Sequence, residues 1–386
     1  MKKKSIIYGV IIPLTLLIIV VMISSLRPDD CKNGVRKIIL KNDEDLIFFP
    51  SMAEYDRKKH IWRVAVHAWV YEPETESAKR NALIASFKKV LGLSDHDEYS
   101  GHFESLARYL MVDQEGGKDV AVAIGGSDFC IGTTDGNGHA RSVVSVDDQE
   151  ISPLIYNMGQ ERYIPVTALI SSPRPHTVTG AIRIIDENSV MVISDIDDTI
   201  KISNVRNKKE LMRTTFLGPF KPVAGMARLY KRISDTGAVF HFVSASPWQL
   251  YRPLSGFLER SGFPRGLFYM KSFGLSRNFS SLFADSLSVK MPYISELLVR
   301  FKGHRFILIG DTGESDPEMY GESARLKPGS ILGIYIRNVT GETRDSRRIR
   351  KAFENVPDEM WTLFNEAAEI EKEIMSRIGG MPPKTR

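Results

Sequence analysis

The sequence predicts an α/β fold, a Rossmann-like doubly wound parallel sheet, preceded by a β-rich accessory domain and an N-terminal transmembrane helix. Three observations predict it. An apolar segment opens the chain, and short apolar runs with period-two alternation follow as far as residue 170. From residue 190 onward, strand-like runs alternate with helical patterns. Such alternation is typical of a parallel sheet with helices on both faces.

The opening apolar segment runs from Ile6 to Ile23 and follows three consecutive lysines. Its length approaches the roughly 20 residues that cross a bilayer. Ser24 and Ser25 form a poor cleavage site, which favours an uncleaved single-pass anchor over a signal peptide. The lysines favour a cytoplasmic N-terminus, with the bulk of the chain extracytoplasmic. Secretion after signal cleavage is the alternative.

The segment after the anchor is predicted to be rich in strands. WRVAVHAWVYEP (Trp62–Pro73) alternates as a half-buried strand does. TTDGNGH contains two Asx-Gly pairs, which favour a hairpin turn over a calcium loop because the ligand spacing of a calcium loop is missing. A helical pattern at Ser77–Leu93 interrupts the strands. A small β-rich domain with one or two helices is therefore expected.

Changes of pattern divide the chain into five segments. SSPRPHTVTG contains two prolines and several turn formers, so it is the best linker candidate. The tail begins with the basic run RDSRRIRK and continues as a helix, which indicates packing or, alternatively, contact with anionic lipid. The predicted segments are 1–26 (membrane anchor or signal segment), 27–170 (β-rich accessory domain), 171–185 (linker), 186–343 (α/β domain) and 344–386 (basic segment and helix).

Composition limits the functional classes. The 386 residues are 42% hydrophobic and carry a net charge of +5, which allows more than one core and suits an anionic partner. Cys31 and Cys130 form no CxxC pair, which argues against a zinc ribbon and leaves open a single bridge. No Walker A, GxSxG or HExxH motif occurs. We expect no nucleic-acid partner, and the sequence leaves protein partners unknown.

The first group of candidate catalytic residues follows the strand-like run VMVIS, in the motif DIDDT. Carboxylates are costly to bury together unless a cation compensates. In an extended chain leaving a strand, Asp195 and Asp197 can face the same cleft. One carboxylate could then attack a phosphorus and the other could handle protons, while Mg²⁺ offsets their repulsion.

Three later segments supply candidates of the same kind. RFILIGDTGESD ends an apolar run in Asp311, a predicted magnesium ligand, and Asp316 is either a second ligand or a residue that orients the first. AVFHFVSASPWQ places Ser244 at a strand end, with Ser246 as a competitor for the same role. Lys290 precedes a helical pattern and could supply a cation to a phosphate.

Four features follow one another along the chain: a strand that ends in aspartates, a strand that ends in serines, a lysine, and a strand that ends in Gly-Asp. In this order they resemble the haloacid dehalogenase superfamily of aspartyl phosphotransferases. The resemblance narrows to the magnesium-dependent phosphatidate phosphatases of the actin-patch-protein type. It rests on DIDDTIKISNV, VSASPWQLY, FILIGDTGESDPEMY and IYIRNV. Upstream, FFPSMAEYD, WRVAVHAWVYEPE and DGNGH resemble the accessory N-terminal domain of that family. The resemblance covers most of the chain apart from the anchor and the tail.

The resemblance implies hydrolysis of phosphatidate to diacylglycerol and phosphate at a membrane lipid surface. It implies that Asp195 is the nucleophile and forms an aspartyl-phosphate, and that Asp197 is the general acid and then the base. Ser244 and Lys290 would bind the transferring phosphoryl group. The implied Mg²⁺ ligands are Asp195, the backbone carbonyl of Asp197, Asp311 and Asp316. Asp198 would orient the loop, and Thr199 would cap or stabilise it.

Two alternatives stay open. One is a phosphatase of soluble phosphomonoesters that uses the same mechanism, and the other is a non-catalytic, membrane-anchored binding module. The region 201–220 is too short for a large cap domain, which favours an open cleft and a bulky or bilayer-embedded substrate.

Overall fold

The computed structural model describes residues 35–73, 81, 84–85, 88, 100–173, 176–187, 189–273 and 286–380. Within these ranges the chain forms a β-rich unit as far as residue 185 and an α/β unit from residue 190 onward. Much of the helix predicted at Ser77–Leu93 lies outside the described residues, as does Cys31.

The β-rich unit is built on a ten-stranded sheet, and a short parallel pair lies beside it. The pair is β1 (Ile38–Ile39) and β11 (Ile170–Ser171). The sheet consists of β2 (Asp45–Phe48), β3 (Ser51–Asp56), β4 (Ile61–Glu72), β5 (Asp113–Gln114), β6 (Asp119–Ile124), β7 (Ser127–Thr133), β8 (His139–Asp147), β9 (Tyr156–Met158), β10 (Glu161–Ala168) and β12 (Thr179–Ile185). Among the described residues, the helices α1 (Ser100–Leu110) and α2 (Asp148–Ile151) belong to this unit.

Strand β4 is the longest strand of this sheet, and its sequence shows why it forms. Along the first half of IWRVAVHAWVYE burial alternates: Trp62, Val64, Val66 and Ala68 are buried, and the residues between them are partly or fully exposed. A strand with one face in the core alternates in this way because successive side chains point to opposite faces. One edge of β4 pairs antiparallel with β8, and the other pairs antiparallel with β2 and β3.

The α/β unit contains a six-stranded sheet in the order β15-β14-β13-β16-β17-β18, and every neighbouring pair is parallel. The strands are β13 (Val190–Ser194), β14 (Val239–Pro247), β15 (Gly266–Lys271), β16 (Arg305–Asp311), β17 (Ile331–Arg337) and β18 (Trp361–Phe364). The helices are α3 (Lys208–Phe216), α4 (Met226–Ser234), α5 (Tyr251–Arg260), α6 (Ser286–Arg300), α7 (Asp316–Leu326), α8 (Arg347–Ala352) and α9 (Ala367–Gly379).

Helices cover both faces of this sheet, and the central strand shows the division. Val192 of β13 lies in one apolar cluster, with residues of α4, α5 and α9. Met191 and Ile193 lie in a second cluster, with residues of α6, α7 and α8. A strand buried on both faces is apolar at every position, which explains why VMVIS shows no polar alternation.

The two units share one hydrophobic core. Phe49 and Trp69 of the β-rich unit and Trp248 of the α/β unit belong to the same buried cluster. The rings of Phe49 and Trp248 lie 4.4 Å apart between centroids. Strand β12, which lies within the predicted linker 171–185, pairs in parallel with β3. The chain therefore crosses between the units through packed structure.

The predicted fold class is wrong in two respects. First, the molecule contains a mixed sheet, because β12 joins an otherwise antiparallel sheet in parallel to β3. This pairing joins residues more than a hundred positions apart, so no local pattern reveals it. Second, the transmembrane helix expected at Ile6–Ile23 is not supported: these residues lie outside the described ranges. Within the described ranges, no helix is both long enough and apolar enough to cross a bilayer.

The segment from residue 344 onward completes the α/β unit. Strand β18 extends the sheet beyond β17, and α9 packs against the sheet through Ile370, Ile374 and Ile378. The side chain of Arg344 lies over the ring of Trp361, with its guanidinium carbon 3.8 Å from the ring centroid. The basic run therefore contributes at least part of its charge to packing within the fold.

Candidate active site

Apart from Lys290 on α6, the predicted site residues lie at or just beyond the ends of three adjacent strands of the parallel sheet. Strand β13 lies between β14 and β16, and each of the three ends in polar residues at the same edge. The carboxyl ends of parallel strands are where such sheets bind ligands. The backbone N–H of Asp195 donates to Ile309 O at 3.0 Å, which holds the first acidic loop against β16.

Three buried carboxylates meet at this edge. Asp195, Asp311 and Asp316 each offer an oxygen within 4.8 Å of the others, and all three side chains are buried. Thr199 joins two of them, because its hydroxyl lies 3.3 Å from Asp195 Oδ2 and 3.2 Å from Asp311 Oδ2. We refer to these three carboxylates as the acidic triad.

Lys290 is the cation of the site. Its Nζ lies 2.6 Å from Asp195 Oδ1, 2.6 Å from Glu314 Oε2 and 3.0 Å from Asp316 Oδ1. The side chain is 1% exposed although it follows Ser286, the first residue of α6, by only one turn. Lysine is almost never buried without partners. Here its three partners are all acids.

The loop after β16 is shaped around Asp316. The backbone N–H of Asp311 donates to Asp316 Oδ2 at 3.1 Å, and that of Gly313 donates to Asp311 Oδ1 at 2.6 Å. A Cβ atom at Gly310 would lie 2.6 Å from the Cβ of Asp316, closer than side chains pack. The glycine at position 310 therefore allows the third carboxylate to reach the strand end.

The charges of this cluster do not balance. Burial, together with the neighbouring acids, raises the pKa of Asp195 and of Asp311 well above the usual range, although Lys290 acts in the opposite direction. Burial also raises the pKa of Glu314. For Lys290, burial lowers the pKa, but the attraction of Asp195, Asp316 and Glu314 outweighs it and the pKa is raised. Four acids thus face one ammonium.

The acidic triad fits a divalent cation. Asp195 Oδ1 is in ionic contact with Lys290 but outside hydrogen-bond geometry, and it accepts no hydrogen bond from the described residues. Carboxylate oxygens are the ligands that hard divalent cations prefer. A bound cation would supply the positive charge that the four acids lack. Asp195, Asp311 and Asp316 are the residues that would hold it.

Asp197 lies in a separate ion pair. Its Oδ1 lies 2.6 Å from Lys201 Nζ and accepts a hydrogen bond from Ser203 Oγ at 2.6 Å. Burial acts to raise the pKa of Asp197, but Lys201 and Ser203 outweigh burial and lower it. Lys201 is itself buried and lies over the ring of Phe220, 5.0 Å from its centroid. Asp197 is therefore held as a carboxylate, outside the acidic triad.

Asp198 shapes the turn that carries these residues. Its backbone is in the left-handed region, with φ of 55°. Its carboxylate accepts hydrogen bonds from the backbone N–H groups of Ser203, Asn204 and Val205, at 2.8, 2.9 and 2.7 Å. Arg337 of β17 donates to its carbonyl at 2.6 Å. These contacts fit the loop-orienting role that the resemblance implies.

The two serines near the carboxyl end of β14 lie on the Asp197 side of the site. Ser244 is fully buried, and its Oγ accepts a hydrogen bond from the N–H of Ser246 at 3.0 Å. The hydroxyl of Ser246 lies 3.3 Å from Asp197 Oδ2. Both serines therefore belong to the end of β14 that approaches Asp197, and which of them binds a phosphoryl group stays a prediction.

Sequence reasoning missed three residues of the site: Glu314, Lys201 and Ser203. Glu314 lies between Asp311 and Asp316 in the same loop, so its position was a signal. Lys201 and Ser203 follow DIDDT directly, yet an exposed lysine and a buried one look alike in sequence. Only the fold shows that Lys201 turns back onto Asp197.

A parallel α/β sheet with an acidic triad and a buried lysine at its carboxyl edge is the arrangement expected of an aspartate-based phosphotransferase. Residues 190–338 match the family model described as "Phosphatidate phosphatase APP1, catalytic domain". For these residues, the match confirms the resemblance seen in the motifs.

Two curated relatives match at similar levels. The chain is 32% identical over 204 residues to an uncharacterised protein of Schizosaccharomyces pombe, covering 50% of this chain and 33% of that protein. It is 32% identical over 175 residues to phosphatidate phosphatase APP1 of Saccharomyces cerevisiae, covering 44% of this chain and 30% of that protein. The chain thus spans about a third of the length of these relatives.

Among solved structures, the chain is similar to a D,D-heptose 1,7-bisphosphate phosphatase from B. bronchiseptica, with a TM-score of 0.28 and 12% identity. The match covers 48% of this chain and 98% of that one. A likeness at this level carries no functional argument.

Proposed function

We propose that this chain is a Mg²⁺-dependent phosphatidate phosphatase that hydrolyses phosphatidate to diacylglycerol and phosphate. The observation that carries the proposal is the acidic triad with Lys290, buried at a sheet edge within the segment that the family model matches. The APP1 relative, named for phosphatidate, supports the choice of substrate.

In the first half of the proposed reaction, an oxygen of Asp195 attacks the phosphorus. The new O–P bond forms as the bond from phosphorus to the glycerol oxygen breaks, which leaves an aspartyl-phosphate and diacylglycerol. Lys290 lies 2.6 Å from Asp195, so its charge is placed to stabilise the transferring phosphoryl oxygens. Mg²⁺ held by the acidic triad would offset the repulsion between the carboxylates and the phosphate.

In the second half, water attacks the aspartyl-phosphate and Asp197 accepts its proton. Lys201 and Ser203 hold Asp197 as a carboxylate, which is the form that this step requires. The same contacts oppose protonation of Asp197. For Asp197 to donate a proton to the leaving glycerol oxygen in the first half, its contact with Lys201 therefore has to break. Phosphate and free Asp195 are regenerated at the end.

Phosphate release from a panel of esters tests the proposal. We expect the full chain to hydrolyse diacyl phosphatidate with Mg²⁺, and we expect Asp195→Asn or chelation to reduce release at least a thousandfold. Asp128→Asn, a matched change on strand β7 of the other unit, should keep full activity. Activity in Asp195→Asn like that of the unchanged chain would rule out the assigned nucleophile.

The alternative substrate class uses the same machinery. Faster turnover of sugar or short-chain phosphates than of phosphatidate would identify a phosphatase of soluble phosphomonoesters. No hydrolysis of any ester with Mg²⁺ would favour a non-catalytic binding module.

A further inference from the structure

The segment that follows the first acidic motif is strongly basic. Lys201–Lys221 contains six Lys or Arg residues and one Glu, so its net charge is +5, as large as that of the whole chain. Lys201 is neutralised by Asp197. The cations Arg206, Arg213 and Lys221 are exposed, and none of them forms an ion pair with another described residue.

The basic segment is attached directly to the site. Lys201 and Ser203 contact Asp197, and the hydroxyl of Thr214 in α3 donates to Ser203 O at 2.7 Å. The N–H of Ile202 donates to Lys221 O at 2.9 Å, which brings the two ends of the segment together. Both ends of the segment therefore lie beside the acidic loop at the carboxyl edge of the sheet.

The basic segment also carries an exposed apolar side chain. Ile202 is 41% exposed, although its neighbours Lys201 and Ser203 are buried. It lies beside Lys221 and is followed by Arg206. Exposed cations around an exposed apolar residue are typical of surfaces that lie at a membrane interface, where cations attract anionic headgroups and apolar side chains enter the acyl boundary.

We propose that Lys201–Lys221 is a docking face for an anionic phospholipid bilayer, with Ile202 entering the interface and Arg206, Arg213 and Lys221 contacting headgroups. The inference rests on the proposed function, because a lipid substrate must be met at its bilayer. Docking by this face would bring the carboxyl edge of the parallel sheet, and Asp195 with it, toward the membrane.

Charge complementarity favours a bilayer over a soluble partner. The three exposed cations belong to the same segment as the exposed Ile202, and this segment adjoins a site predicted to cleave an anionic headgroup. An acidic protein would also neutralise the charge, but it would not draw Ile202 into an acyl environment. Burial of Ile202 in lipid is therefore the discriminating observation.

A tryptophan reporter tests the inference independently of catalysis. We expect Ile202→Trp, in the full chain with Asp195→Asn, to shift its emission to shorter wavelength on vesicles of phosphatidylcholine and phosphatidylglycerol. Brominated acyl chains should quench it. Leu326→Trp is the matched control, because Leu326 is 44% exposed at the opposite end of α7 from Asp316. It should neither shift nor be quenched.

A charge variant tests the cations. Arg206→Gln/Arg213→Gln/Lys221→Gln should weaken vesicle binding by about fivefold per charge, or about a hundredfold in all, with the effect shrinking at high salt. Phosphate release from phosphatidate in nonionic detergent should not change. The control Lys58→Gln/Lys59→Gln/Lys302→Gln removes three exposed charges elsewhere and should bind as the unchanged chain does.

The outcomes separate this inference from the proposed function. If phosphatidate is hydrolysed but the Ile202→Trp emission does not respond to anionic vesicles, the docking face is wrong and the function stands. If the emission responds to an acidic protein and not to vesicles, the face binds protein and the inference is overturned. A response to vesicles without any hydrolysis would leave the docking face and remove the function.

Discussion

At the scale of single residues, the site depends on one buried lysine. Lys290 contacts Asp195, Glu314 and Asp316, so its loss leaves three acids without their cation. Removing one partner of a buried ion pair typically costs about 3–5 kcal/mol, because the remaining charge stays desolvated. Lys290 therefore contributes both to the stability of the fold and to the proposed chemistry.

We expect Lys290→Met to lower the free energy of unfolding by about 3–5 kcal/mol in the absence of divalent cations. Urea unfolding, with and without Mg²⁺, measures the effect, and Mg²⁺ should recover part of the loss. Lys302→Met changes an exposed lysine just beyond the same helix and should stay within about 0.5 kcal/mol. Equal losses of unfolding free energy in both variants would contradict the role of Lys290 as the cation that compensates the buried acids.

A second residue-scale prediction concerns His241, which is fully buried on β14. Burial lowers its pKa to about 3, assisted by the charges of Arg183, Arg300 and His304. The folded chain keeps this ring neutral, whereas the unfolded chain binds a proton below its ordinary pKa of about 6.5. This contribution to stability is therefore present above pH 6.5 and is lost as the pH falls from there toward 3.

The slope due to one such group approaches about 1.4 kcal/mol per pH unit within that window. We expect the unfolding free energy of His241→Gln to fall less steeply between pH 6 and 4 than that of the unchanged chain, by up to this amount. Denaturant unfolding at each pH measures it. His60→Gln, an exposed position, should leave the slope unchanged.

At the scale of elements, the β-rich unit supports the carboxyl end of β14. Trp248 directly follows β14, which carries Ser244 and Ser246 near its end, and it packs against Phe49 and His67, with centroids 4.4 and 4.8 Å away. Arg141 lies over its ring at 5.6 Å. Through Trp248, the accessory unit thus contacts the chain directly after the carboxyl end of β14.

We expect Trp248→Ala to raise the KM for substrate and to lower kcat, because the end of β14 that carries Ser244 and Ser246 loses its support. Trp248→Phe should restore much of both, since an aromatic ring can still pack against Phe49. Trp361→Ala is the matched control: Trp361 is as deeply buried and stacks on Phe353, but it lies on the edge strand β18. Both alanine variants should cost about 3–5 kcal/mol of stability, and only Trp248→Ala should change the kinetics of the folded enzyme.

The strands of the α/β unit could be predicted from the sequence for a physical reason. VMVIS and RFILIG are apolar at nearly every position because helices cover both faces of the sheet. The candidate residues Asp195 and Asp311 could be predicted from the sequence because polar side chains follow the apolar runs of these strands directly. The roles of Lys201 and Glu314 could not be predicted, because their ion-pair partners depend on how the loops fold back onto the site.

The pairing of β12 with β3 was not readable either. Thr179–Ile185 follows a proline-rich stretch, and its strand pattern does not show which edge it will join. Parallel pairing between segments so distant along the chain depends on the packed core, so the predicted linker could not reveal it.

At the scale of the whole molecule, the shared core joins the two units. Because Phe49, Trp69 and Trp248 lie in one buried cluster, unfolding one unit would expose apolar surface of the other. Units linked in this way unfold together when the interface is large and hydrophobic.

We expect a single unfolding transition. Far-ultraviolet circular dichroism and tryptophan fluorescence report on both units, because Trp62 and Trp69 lie in one and Trp248 and Trp361 in the other. Their urea midpoints should coincide, and Phe49→Ala should shift both together. Two separate transitions would show that the units fold independently.

The interlocked core has a practical consequence for recombinant expression. A truncated protein that starts at β13 would keep the acidic triad, yet it would leave Trp248 and its surrounding aromatic surface open to water. Such a surface promotes aggregation. The shortest autonomous enzyme that can be cut from this polypeptide therefore has to retain the strands that come before the catalytic motif.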